Sequence, residues 1–300
     1  MFQPTQFGRD NQLRARMLIT MLGLGLLYGV FMWVAWQLNP MYLTIAVVMV
    51  VIQFSLSDKM VLASMRAKVV SSTDAPKLHQ MVDDLCMKAG IPKPKVAISD
   101  MATPNAFATG RSQKHAAVAV TTGLLNLLND DELEAVLAHE ISHIKTKDVV
   151  VMTYASFFLI VAATLSSFLM FSAIFGGMGR SRNNSSAGSI ILVALLVTFI
   201  VRIVGSMLVA TLSRYREFSA DRGAAALTLK PMALASALQR LQDSLVITPK
   251  QDLRKVESMN AFFILSAVGP GLAELFASHP STTKRIQRLQ QYDQQMAFLR

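Results

Sequence analysis

Four long apolar runs set the limits on what this chain can fold into. Met17 to Trp36 carries no charged residue, and about 20 such residues are what a helix needs to cross ~30 Å of hydrocarbon. The run is too long for the apolar core of a cleaved leader and ends in "WQLNP" rather than at a small-residue cleavage site, so an uncleaved anchor is expected. Pro40 and a short polar step break it, and a second span of about 41–56 follows. Val149 to Ile174 forms a third. The tip "GGMGRSRNNSSAGS" then turns the chain into a fourth, about 190–212. Composition agrees: only 16% of residues are charged and mean hydropathy is +0.41, whereas soluble domains carry about 25% charge.

Basic residues orient the spans. Arg9, Arg14, Arg16, Lys59, Arg66, Lys68, Lys145, Lys147, Arg214 and Arg216 fall on one side, and only Arg180 and Arg182 on the other. Both termini and the polar regions are therefore expected in the cytoplasm. The net charge of +10 is spread beside the spans, with no long Lys/Arg run and no aromatic-interleaved basic face. It reads as membrane electrostatics, with the lipid bilayer as partner and no nucleic acid. The single cysteine, Cys86, excludes an intrachain disulfide and reads as a core filler.

The runs divide the chain into an N-terminal tail and hairpin (1–57), a polar region (58–148), a second hairpin (149–212) and a second polar region (213–300). Neither polar region looks complete alone, so one discontinuous domain is expected. "APKLHQMVDDLCMKAG" has helical period, with Gly90 as a stop and Pro92 beyond it. "KPKVAISD", "NAFATGR" and "HAAVAVTTG" read as short strands. The tail from Pro231 onward reads as mostly helical.

His139-Glu140-Ile141-Ser142-His143 has the form H-E-x-x-H. On a helix, positions i and i+4 share a face, so both imidazoles can reach one ion. Glu140 is placed to take a proton from water at the metal. Asn129 or Asp130 can cap this helix, and Asp131 and Glu132 suit its first turn. Two histidines leave a catalytic zinc shell one protein ligand short. "SRYREFSADRGAAAL", just after the fourth span, offers Glu217 as that ligand and Asp221, one turn on, as a hydrogen-bond acceptor for a zinc histidine. The competing reading is a solvated face on which Arg214, Arg216, Glu217, Asp221 and Arg222 form salt bridges. Arg202, inside the fourth run, is read as snorkelling from a helix that continues above the bilayer. His79 and His115 have no partner pattern and are expected to be structural or solvated.

"AHEISHIKTKD", "SRYREFSAD", "PNAFATGR" and "SHPSTTKRI", placed among four spans, together resemble the HtpX family of bacterial membrane zinc metalloproteases, relatives of the CAAX prenyl proteases. The resemblance implies a mainly α integral membrane protein. It would have four transmembrane helices and a discontinuous α+β zincin-like metalloprotease domain with a small β-sheet. It implies one Zn2+ per chain, held by His139, His143 and Glu217, with Asp221 behind them and Glu140 as general base. It matches Asn105, Ala106, Phe107 and Ala108 to an edge strand that pairs with substrate backbone. It matches His279 and Arg285 to a motif near the site, His279 as the donor that steadies the oxyanion. The implied activity is a zinc metalloendopeptidase of the bacterial inner membrane. It would cleave membrane or misfolded proteins on the cytoplasmic side, in quality control and stress response. Two other readings compete. One is a non-catalytic scaffold or holdase with a structural zinc. The other is a prenyl-type processing protease, which four spans rather than a larger multi-span chamber disfavour.

Overall fold

The computed structural model describes residues 10–38, 61–176, 185–247 and 279–298, together with Met41, Thr44, Val48, Val51 and Ile52. Among the described residues, three helices are long and apolar enough to cross a membrane: α1 (Asn11–Leu38), α5 (Asp148–Gly176) and α6 (Ser185–Thr228). Eleven of the sixteen residues of the expected second span, 41–56, lie outside the described residues. Large apolar side chains face outward along these helices, Trp33 at 66% exposure and Leu192 at 69% among them. A continuous apolar surface of this kind is costly in water and ordinary in lipid. The inner faces pack together through Leu24, Tyr28 and Phe31 of α1, Val161 and Leu165 of α5, and Val201 and Leu212 of α6. Small residues let the helices approach, as at Gly205, where an added Cβ would lie 2.6 Å from the Leu159 side chain.

The fourth apolar run ends near Leu212, and the helix continues above it, as the reading of Arg202 expected: α6 runs unbroken for 44 residues to Thr228. At 1.5 Å per residue that is about 66 Å, roughly twice the thickness of the hydrocarbon. One end of α6 therefore belongs to the membrane bundle and the other to the polar part of the molecule. Arg202 lies exposed along it.

The polar part contains β1 (Ala67–Val69), α2 (Pro76–Ala89), β2 (Lys95–Ser99), β3 (Ala106–Thr109), β4 (Ala117–Thr121), α3 (Thr122–Leu127), α4 (Asp130–Lys145), α7 (Pro231–Ile247) and α8 (Thr282–Phe298). α2 ends at Gly90, which takes the left-handed conformation (φ 69°) that closes a helix. The sheet order is β1-β2-β4-β3. β2 and β4 are parallel, and each outer strand is antiparallel to its neighbour. β1 is the strand that sequence reasoning misses, because three residues are too few to show an alternation. β3 lies at the sheet edge. Its side chains alternate: Phe107 packs with Met65, Ala97 and Ala119, while Ala106 and Ala108 turn to the main core.

That core is built around α4, which buries eleven of its sixteen residues, far more than a one-sided amphipathic helix. Leu85 from α2, Val118 from β4, Ala224 from α6, Leu238 from α7 and Leu289 from α8 share it with Leu137 and Ile141 of α4. Residues from both sides of the α5–α6 hairpin thus fill one core. His79 and His115 are local: His79 Nε2 lies 3.2 Å from the Val70 carbonyl, and His115 Nδ1 lies 3.0 Å from Ser112 Oγ.

Candidate metal centre

α4 starts on a reciprocal cap. The Glu132 N–H donates to Asn129 Oδ1 and the Asn129 N–H to Glu132 Oε2, both at 3.0 Å. Glu132 also accepts from Ser236 Oγ at 2.6 Å and from Arg240 at 3.1 Å, tying α4 to α7. Burial pushes the Glu132 carboxyl up, but the hydrogen bonds from Ser236 and Asn129 and the Arg240 charge outweigh it and hold it below the usual carboxylate range. Two and a half turns on, His139 and His143 meet edge to face, with their Nε2 atoms 3.1 Å apart.

α6 crosses α4 at very short range. A Cβ on Gly223 would lie 2.4 Å from Ser142 Oγ and 2.8 Å from Ser142 Cβ. Only glycine permits this approach, and it brings Glu217 to the histidines. Glu217 Oε1 is 3.3 Å from His143 Nε2, and Oε2 is 3.6 Å from His139 Nε2. One ligand atom from each of the three residues lies within 4.8 Å of the other two. The solvated-face alternative is overturned here, because Arg216, Glu217 and Asp221 are all buried.

The outer nitrogens of both rings are taken by carboxylates. Asp221 Oδ1 is 3.0 Å from His139 Nδ1, and Asp148 Oδ2 is 2.7 Å from His143 Nδ1. Asp221 in turn accepts from Arg285, at 2.9 Å from Nε and 2.6 Å from Nη2. Arg285 Nη1 also reaches Glu217 Oε2 at 3.1 Å. Burial drives both imidazoles toward neutrality. The carboxylate hydrogen bonds oppose it, from Asp221 and Glu217 on His139 and from Glu217 on His143, and both rings end above their ordinary value.

This donor set fits a metal. A carboxylate only accepts, so each Nδ1 carries the ring proton and each Nε2 presents a lone pair. In the neutral rings these two lone pairs and the Glu217 carboxylate converge, so a cation can take the place of the protons that the metal-free rings share with Glu217. Ligands 2.0–2.1 Å from a tetrahedral ion stand about 3.3–3.4 Å apart, and the separations here are 3.1, 3.3 and 3.6 Å.

Glu140, next to His139 in sequence, is buried, and its charge acts on both His143 and Arg285. His279 Nδ1 lies 3.3 Å from Glu217 Oε2, so the C-terminal motif does reach the site. Asn105 holds the start of β3: its N–H donates to Thr121 Oγ1 at 2.8 Å, and its carbonyl accepts from the Thr121 N–H at 2.9 Å. A cleft lined by Thr109 and Gly110 at the end of β3, by His143, and by Val149 and Val150 of α5 opens beside the centre.

Asp148 is the site residue that sequence reasoning misses, having placed it only as the last residue before a span. Its position five residues after His143, across a helix break, was the available signal. Lys147 takes a left-handed φ of 57° and folds the chain so that Asp148 faces back onto His143.

Two histidines one turn apart on one helix, a carboxylate from a membrane helix within reach of both and a nearby sheet edge are the arrangement of a membrane-bound metallopeptidase. The profile of Peptidase family M48 matches residues 72–293. The chain is 46% identical over 296 residues to a Protease HtpX homolog of Moorella thermoacetica, covering 97% of this chain and 98% of that protein. It is 45% identical over 293 residues to Protease HtpX homolog 2 of Methanosarcina mazei, covering 96% and 98%. Among solved structures, S. mikatae Ste24p superposes with a TM-score of 0.50 at 18% identity, covering 93% of this chain and 67% of that one, a likeness of fold. The chain belongs to peptidase family M48, and within it to the HtpX-type membrane metalloproteases.

Proposed function

We propose that this protein is a zinc-dependent endopeptidase whose metal is held by His139, His143 and Glu217. The observation that carries this reading is the set of three converging acceptors, with both histidine Nδ1 atoms already committed to carboxylates. A zinc ion held there supplies Lewis acidity toward the scissile carbonyl and toward water. The remaining steps belong to this chain. Glu140 accepts the proton of the attacking water and delivers it to the leaving amine nitrogen. His279, half-buried beside Glu217, donates to the oxygen that becomes negative in the transition state. Asp221 and Arg285 hold the His139 ring in one tautomer.

Substrate binds as an extended strand along the open edge of β3, from Asn105 through Ala106, Phe107 and Ala108, by backbone pairing. Such pairing tolerates many sequences. A side chain beside the scissile bond enters the cleft between Gly110, His143 and Val149. Residues 58–148 and 213–300 form the catalytic unit, flanked by the hairpins of 1–57 and 149–212. The basic flanks support a cytoplasmic position for that unit and both termini, at the inner membrane. The substrates are membrane or misfolded proteins cleaved in quality control and stress response.

The test is purified Glu140→Ala beside wild type, with zinc content measured on both. The variant is expected to keep its zinc and lose cleavage of casein or of a membrane substrate. Unchanged proteolysis sinks the mechanism, and zinc binding without proteolysis in wild type favours a scaffold with a structural metal.

A further inference from the structure

Each candidate metal histidine carries its own carboxylate–arginine pair. On His139 the pair is Asp221 with Arg285. On His143 it is Asp148 with Arg216. We infer that Asp148 and Arg216 are positioning residues for His143, a bracket that fixes this ligand's tautomer and orientation from the membrane hairpin. The inference rests on the reading of His139, His143 and Glu217 as metal ligands.

The geometry is complete on both carboxylate oxygens. Asp148 Oδ2 lies 2.7 Å from His143 Nδ1. Asp148 Oδ1 accepts from Arg216 and from Thr146 Oγ1. Arg216 Nη2 also donates to the Thr146 carbonyl at 2.9 Å, closing the turn between α4 and α5. The Thr146 N–H donates to the Ser142 carbonyl at 3.0 Å, so the same turn is pinned to the helix that carries His143. Asp148 is the first residue of α5, where the helix dipole favours a carboxylate. Arg216 precedes Glu217 on α6, so one helix supplies both a candidate ligand and the clamp on its neighbour.

Burial makes the positioning role specific. Asp148 and Arg216 are 5% and 7% exposed. A buried ion pair contributes little net stability, because desolvating two charges offsets most of their attraction. What this pair supplies is a fixed acceptor at His143 Nδ1, which keeps the proton on Nδ1 and the lone pair on Nε2. The two histidines are thus held from different elements. His139 is held through Arg285 of α8, and His143 through the first residue of a membrane helix.

The experiment measures zinc affinity on the full-length chain in detergent, by competition with a fluorescent chelator. Wild type is set beside Asp148→Ala, Asp148→Asn and Arg216→Lys, with the melting temperature of the metal-free forms recorded in parallel. Removing such a partner weakens zinc about 10–100-fold, and that loss is expected for Asp148→Ala. Asp148→Asn, which can still accept from Nδ1–H, should lose less. The visible spectrum of the cobalt-substituted variants should shift as His143 leaves its orientation. Variants that melt lower yet bind zinc as wild type does would make the pair a plain structural staple and overturn the inference. Because the readout is metal binding, it stands apart from proteolysis. A wild type that binds zinc but cleaves nothing defeats the proposed activity and leaves the bracket testable. A wild type that binds no zinc defeats both.

Discussion

Gly223→Ala is the sharpest probe of how two helices build the metal centre. The new Cβ would stand 2.4 Å from Ser142 Oγ and 2.8 Å from Ser142 Cβ. Carbon atoms in contact prefer about 3.5–4.0 Å. Rotating the Ser142 hydroxyl relieves the first clash and not the second, since Cβ is fixed by the backbone. α6 must therefore move away from α4 by about 1 Å, the difference between 2.8 Å and ordinary contact. Overpacking of this kind costs about 1–3 kcal/mol, while exchanging a helical glycine for alanine returns about 1 kcal/mol. Net destabilisation should be about 0–2 kcal/mol, and the protein should still fold. The site is affected more, because Glu217 and Asp221 ride on α6 beside the substituted position. A displacement of ~1 Å can cost 100-fold in rate. The assay is zinc affinity and casein cleavage of Gly223→Ala, Ser142→Gly and the double variant. Both readouts should fall in the first and recover substantially in the double variant, a coupling that a double-mutant cycle isolates. Wild-type affinity and activity in Gly223→Ala, or no recovery in the double variant, would refute the claim that this contact sets the ligand distance.

Four further outcomes follow from the structure. Zinc binds the neutral imidazole, and the metal-free His139 and His143 sit above their ordinary value. Zinc affinity should therefore be full at alkaline pH and fall as pH drops through those raised values, above the ~6.5 of a free histidine, as chelator competition across a pH series will show. Asn129→Ala, which removes one half of the α4 cap, should cost about 1 kcal/mol in chemical denaturation. The Glu132 half is present at neutral pH and lost on acidification: its folded carboxyl lies below the unfolded one, so its stabilisation declines as pH falls below ~4.3. Burial first, and then Asp83, push the Cys86 thiol up to about 11, so a thiol reagent at pH 8 should label unfolded chain and leave native protein unmodified.

Much of this molecule is legible from local sequence, and the reason is that the physics there is local. Hydropathy over 20 residues decides whether a helix suits a bilayer, and the runs at 17–36 and 149–174 lie within α1 and α5. The i, i+4 spacing of His139 and His143 and the cap at Asn129 need only the helix itself. β1 escapes because its three residues acquire strand character only by pairing with β2.

The remainder was decided in three dimensions. Sequence spacing left Glu217 and Asp221 balanced between a metal shell and a solvated face. The choice depended on α6 continuing to Thr228 and on Gly223 allowing it to lie against Ser142. Asp148 and Arg216 carry no motif that sets them apart from other charges beside a span. Their meaning arises when a left-handed Lys147 turns one toward His143 and burial removes water from the other. A charged side chain has the same chemistry in solvent and in a core. Only the surrounding fold, by excluding water and fixing one partner at hydrogen-bond distance, turns it into part of a site.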